Sequence, residues 1–138
     1  MRVKKFLLLL LTVTILFMSC GAERRVEIKS MTIEESFTVR LGESTKVARV
    51  KFDIYNCKDL KSDMSNDEIR AWLTANTKCK YQESELELDG FIRIYDKKEN
   101  LTTFTAEYLL PDGEIDESAI GKDLKFFILE NVFDSTIL

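Results

Sequence analysis

The chain has 138 residues, with 24 acidic side chains against 20 basic ones, a net charge of −4 and no histidine. Nucleophile triads and the usual neutral-pH proton shuttle draw on histidine, so its absence removes the commonest catalytic devices. The acidic balance argues against nucleic acid and anionic lipid surfaces, which need a basic footprint.

Residues Met1 to Gly21 read MRVKKFLLLLLTVTILFMSCG. Three basic residues (Arg2, Lys4, Lys5) precede an apolar run from Phe6 to Met18, broken only by Thr12 and Thr14, and Ser19-Cys20-Gly21 follows. That is the layout of a secretory signal. A helix over these 13 residues reaches about 20 Å, short of the roughly 30 Å hydrocarbon core of a bilayer, so it is expected to target the chain and not to span. The order Leu16-Phe17-Met18-Ser19-Cys20, with Gly21 after it, resembles the lipobox of bacterial lipoproteins. The resemblance covers the leader only. It implies cleavage between Ser19 and Cys20, diacylglyceryl attachment at Cys20 and, as a rule, amino-terminal acylation by a fatty acid such as palmitate. The chain is then expected in the cell envelope, bound to the membrane through its N-terminal lipid. Gly21, being no Asp, does not resemble the inner-membrane retention signal of enteric lipoproteins, which favours the outer membrane or cell surface where there are two membranes.

Removing residues 1–19 leaves 119 residues; all 24 acidic side chains remain but only 17 of the 20 basic ones, a charge of −7. The expected organisation is a signal peptide at 1–19, a lipidated N-terminus and short lead-out at 20–25, and a single β-rich domain at 26–138. With Cys20 used by the lipid, Cys57 and Cys79 are left for each other. In an oxidising compartment two such thiols are expected to pair, closing a loop of about 20 residues and adding roughly 3 kcal/mol of stability. The competing reading is a pair of reduced, buried thiols. Two cysteines without histidine do not complete a tetrahedral zinc set, and no metal or other cofactor is expected.

In chain order, Val26 and Ile28 alternate with Glu27 and Lys29, and Phe37, Val39 and Leu41 alternate with Thr38 and Arg40, which predicts two half-buried strands. Gly42-Glu43-Ser44 reads as a turn. Ala48, Val50, Phe52 and Ile54 then share one strand face, with Val47, Arg49, Lys51 and Asp53 on the other. After Cys57 the period changes: Ser65 and Glu68 form a capping box, and Ile69, Trp72 and Leu73 recur at helical spacing, predicting a helix over about 66–76. Trp72 reads as a core anchor on its apolar face. From Tyr81 the alternation returns, with Leu86 and Leu88 opposed to acidic residues, then Ile92 and Ile94 opposed to Phe91, Arg93 and Tyr95. This is a strand pair or one kinked strand, with Asp89-Gly90 as turn or bulge. Asp96 to Asn100 reads as a hairpin connection and Phe104, Ala106, Tyr108 and Leu110 as the return strand. Pro111 to Glu114 is a turn signal, and residues 115–120 suit a single helical turn. Lys125 to Phe133 is apolar on both faces, as in a strand covered on both sides. Together these predict a mainly β, antiparallel, sandwich-like domain with one inserted helix, preceded by an N-terminal signal helix.

No catalytic constellation emerges, and an enzyme is not expected. The cluster Asp112 to Glu117 lacks the spacing of a 12-residue calcium loop and reads as a solvated turn. The row Glu83, Glu85, Glu87, Asp89 supports two readings: an acidic stripe that grips a cationic enzyme or toxin, as an inhibitor or immunity protein does, or a solvated face neutralised across strands by Arg49 and Lys51. The expected function is a structural or binding module of the envelope with a protein partner there; the alternative is an inhibitor working through the acidic row.

Overall fold

The computed structural model describes residues 23–38, 41–111, 123–129 and 131–134. The leader with Cys20, the turn after Pro111, the expected helical turn at 115–120 and the acidic cluster at 112–117 lie outside these. Within them the chain is mainly β with one helix, and the ladders are antiparallel. The elements are β1 (Arg25–Thr38), β2 (Glu43–Tyr55), α1 (Asn66–Asn76), β3 (Thr77–Tyr81), β4 (Ser84–Asp96), β5 (Leu101–Leu109), β6 (Leu124–Ile128) and β7 (Asn131–Asp134). They hydrogen-bond in the order β1-β2-β5-β4-β3-β6-β7.

The sheet curls on itself, and one aromatic contact measures how far. In that order β2 and β6 are four spacings apart, about 19 Å in a flat sheet. Yet Phe52 on β2 and Phe126 on β6 have ring centroids 5.1 Å apart. Only a sheet folded over a common interior, as in a sandwich, brings those rings together. The fold-over passes through β4, whose first residues pair with β3 (Leu86 with Cys79) and whose remainder pairs with β5 (Glu87 with Leu109 through Asp96 with Leu101).

Two bulges set which side chains face inward. In β4 the register with β5 jumps between Leu88 and Gly90, leaving Asp89 as the extra residue. The jump reverses the alternation, so Leu86 and Leu88 before it and Phe91 and Arg93 after it share the inner face, while Ile92 and Ile94 are left 64% and 65% exposed. A similar jump in β1 lies between Ile28 and Ser30. It joins Val26 and Ile28 to Met31 and Ile33 in one continuous strand, where two were expected. A long strand can cross a two-residue defect in its pattern when one residue is squeezed out of the ladder.

The helix spans the residues its pattern calls for. Ser65 accepts from the Glu68 N–H, and the Glu68 carboxylate accepts from the Ser65 N–H at 2.8 Å. Asp67 and Glu68 lie at the positive end of its dipole. Its buried residues, Ile69, Trp72 and Leu73, lie against the curled sheet, with the Trp72 ring stacked on Phe104 at 6.0 Å. The core combines Ala48, Val50, Phe52 and Ile54 with Phe104, Ala106, Tyr108, Leu124, Phe126 and Ile128.

Three expectations are corrected. Cys57 and Cys79 form no bridge: both are free, buried thiols within the apolar core. Cys79 points inward from the middle of β3, opposite Leu86 and Phe126, and burial pushes its thiol up to about 12. The segment from Lys125 to Phe133 is a hairpin and not one strand, because β6 and β7 pair antiparallel from Ile128 with Asn131 to Lys125 with Asp134. Leu129 holds its turn at φ 54, and its N–H bonds the Asn76 carbonyl at 2.8 Å at the end of α1. Glu83 is in the Gln82-Glu83 turn between β3 and β4, with Tyr81 paired to Ser84, and is not a strand residue.

Candidate functional site

The β4 bulge leaves main-chain acceptors beside α1, and Arg70 on the helix takes them. Its Nη2 donates to the Asp89 carbonyl at 2.8 Å and its Nη1 to the Leu88 carbonyl at 3.4 Å. The guanidinium also lies 5.6 Å from the centre of the Phe91 ring. An arginine suits this place because its planar fork can meet two oxygens at once.

Two open clefts adjoin at Arg70. One, ≈ 560 Å³, runs between α1 and the start of β4, past Thr74, Lys78, Glu85, Leu88 and Tyr108. The other, ≈ 670 Å³, lies toward the helix N-terminus, past Asn66, Asp67, Asp89, Phe91 and Glu107. Both have volumes that suit small-molecule or peptide ligands. The first mixes the cations Arg70 and Lys78 with Glu85 and Glu87, while the second is acidic on balance. Glu107 is already committed, accepting from Arg49 Nε at 3.0 Å and Nη2 at 2.8 Å and from Ser36 at 3.1 Å; Arg49 also pairs with Glu34.

A hydroxyl chain forms one wall of the first cleft. Thr77 Oγ1 donates to the Leu73 carbonyl at 2.6 Å, and Tyr108 Oη lies 2.7 Å from the same Thr77 oxygen. Threonine has one hydroxyl proton, so Tyr108 must be the donor of the second bond. Burial holds the Tyr108 phenol well above its ordinary pKa. The cleft therefore offers charge and hydrogen bonding against an apolar floor, the chemistry of binding and orientation.

The acidic row is divided between a turn, a strand and a bulge. Glu83 is in a turn, Glu85 and Glu87 are exposed on the face of β4 opposite Leu86, and Asp89 is the bulge residue. The expected neutralising partners lie elsewhere: Arg49 is held by Glu34 and Glu107, and Lys51 pairs in register with Ser30 and Thr105. Lys78 instead reaches to 3.9 Å from Glu85, and Lys80 is the register partner of Glu85. Sequence reasoning missed Arg70, Thr77 and Tyr108 as site residues. The available signal was the three-residue step from Leu88 to Phe91, which marks the bulge whose carbonyls Arg70 caps.

Among the described residues no group of three or more metal-ligating side chains comes together, and no helix is long and apolar enough to cross a membrane. No family model, curated protein or solved structure matches the chain.

Proposed function

We propose that the chain is a binding module of the cell envelope, tethered by a lipid on Cys20 and engaging a partner at the paired clefts around Arg70, without catalysis. The observation that carries the binding site is that these two ligand-sized recesses adjoin at the side chain locking α1 to the β4 bulge. The tether rests on the lipobox resemblance at Leu16 to Gly21. An inhibitor acting through Glu83, Glu85, Glu87 and Asp89 is less favoured, because Glu83 is in a turn and Lys78 and Lys80 flank Glu85.

Each half has its own test. Growth with an alkyne-tagged fatty acid should label the parent and leave Cys20→Ala unlabelled; equal labelling of both refutes the tether. A photo-crosslinking residue at Thr74, which lines the first cleft, should give a discrete adduct in native envelopes that one at the exposed hairpin residue Lys98 does not. Arg70→Glu should abolish it. The same adducts from both positions, or an adduct indifferent to Arg70→Glu, would overturn the cleft assignment.

A further inference from the structure

Away from the Arg70 clefts, on the inner face of the sheet, three buried side-chain nitrogens have no hydrogen-bond partner among the described residues: Trp72 Nε1, Arg93 Nε and Arg93 Nη2. All three are N–H donors, and both side chains border the same ring. Trp72, 8% exposed, stacks on Phe104 with 13° between the ring planes. Arg93 on β4 is the direct register partner of Phe104 on β5, so the two share a face with their Cβ atoms about 5 Å apart.

The two arginine nitrogens form a usable pair. Nε and Nη2 project from one side of the guanidinium and together grip an acceptor side-on. Arg49 in this same chain does so on Glu107. Arg93 has no such carboxylate among the described residues; its guanidinium lies 5.4 Å from the centre of the Tyr95 ring. Two buried nitrogens of the half-buried Arg93 guanidinium lack an acceptor, and a buried donor without one has given up its hydration for nothing. For the guanidinium fork, oxygen bearing negative charge is the best-matched acceptor.

We propose that Arg93 forms a binding site for a small oxyanion, its Nε/Nη2 fork gripping the anion side-on, with Trp72 close by on the neighbouring Phe104. The inference is independent of the cleft reading. Burial, which lowers the Arg93 pKa, favours a counter-anion there for the same reason. Carboxylates and phosphates share the required chemistry, and the assay separates them.

Trp72 is the chain's single tryptophan, so its emission reports on the site directly. The full-length chain in a non-ionic detergent is titrated with sodium acetate and, separately, with sodium phosphate, each exchanged against sodium chloride at constant ionic strength. A saturable change in emission is expected, with acetate if the natural ligand is a carboxylate and with phosphate if it is a phosphate, accompanied by a rise in melting temperature at saturation. Arg93→Lys keeps the charge but loses the fork and should weaken binding by about tenfold or more. Lys98→Gln should leave it unchanged. If neither anion gives a saturable change in the parent, or if Arg93→Lys binds as the parent does, the site is refuted. The parent titration needs no variant, so a misfolded substitution does not protect the proposal.

Discussion

The Tyr108, Thr77 and Leu73 chain permits a test in which direction of donation decides the outcome. Because Thr77 uses its one proton on the Leu73 carbonyl, the Tyr108 O–H is the donor to Thr77. Tyr108→Phe then removes one buried hydrogen bond and orphans no donor, at a cost of about 1 kcal/mol. Thr77→Val, nearly isosteric, removes the acceptor and leaves the Tyr108 O–H unpaired in a site where Tyr108 is 2% exposed. It also loses the bond to Leu73, although that carbonyl keeps the Thr77 N–H at the helix C-cap. The sum is about 2–3 kcal/mol. The double variant has no orphaned hydroxyl and should cost less than the two single changes together, by about 1 kcal/mol of coupling.

Urea unfolding followed through Trp72 emission measures all three. With a slope of about 1.5 kcal/mol per molar, Thr77→Val should lower the midpoint by about 1.5 M and Tyr108→Phe by about 0.7 M. If Tyr108→Phe proves the costlier single change, or the double variant is strictly additive, the assigned donation is wrong.

Phe126→Ala should cost about 3–5 kcal/mol, because the ring contacts both Phe52 and Tyr108 across the curl of the sheet; thermal melting checks this. Arg70→Met should cost about 1–2 kcal/mol and speed hydrogen exchange in β4 around the bulge more than in β2, since the Leu88 and Asp89 carbonyls lose their donor. For Cys79 the folded-state pKa is raised, to about 12 from an ordinary 9.0. Its contribution is therefore fully present below pH 9 and is lost as pH rises toward 12, by a few kcal/mol in all. The parent's urea midpoint should fall across that window more steeply than that of Cys79→Ala, and parallel slopes would contradict the burial. Both Cys57 and Cys79 should resist alkylation in the native protein and react on unfolding; thiols that react in the unfolded chain only after reduction would contradict their free state.

The parts of the fold that were legible in sequence are those where one short signal acts locally. Ser65 and Glu68 close a capping box within one turn, and Ile69, Trp72 and Leu73 then place the helix against the core with no help from distant residues. The face of β2 was equally plain, since Ala48, Val50, Phe52 and Ile54 alternate without interruption. Strand order was not legible, because pairing β4 to β3 at one end and to β5 at the other depends on a bend that no local pattern states. The turn at Leu129 was missed because it lacks Gly, Asn or Pro; its left-handed backbone is supported from outside by the Asn76 carbonyl. The free cysteines were misread for a related reason, since counting thiols by compartment says nothing of how deeply β3 buries Cys79 between Leu86 and Phe126.

The two bulges show what a more attentive reading could have extracted. Inside a strand the inward residues recur every second position, and among the described residues they step by three from Ile28 to Met31 and from Leu88 to Phe91. A step of three within an otherwise period-two run means that one residue has left the ladder, which opens main-chain carbonyls beside it. Buried or semi-buried carbonyls require donors, so each such step directs attention to a cation on a neighbouring element. In β4 that cation is Arg70, and the same step also turns Arg93 to the inner face, where a regular strand would have placed Ile92. One squeezed-out residue, Asp89, thus creates both the cleft at the helix and the inward-facing guanidinium beside Trp72. Deleting Asp89 should separate these effects, because Leu88 and Gly90 already pair with the adjacent residues Tyr108 and Glu107. The straightened strand would keep Arg93 inward while withdrawing the carbonyls from Arg70. Retained anion response with loss of crosslinking at Thr74 is the expected result, and loss of the anion response in a folded deletion variant would show that the bulge, and not the register, orients Arg93.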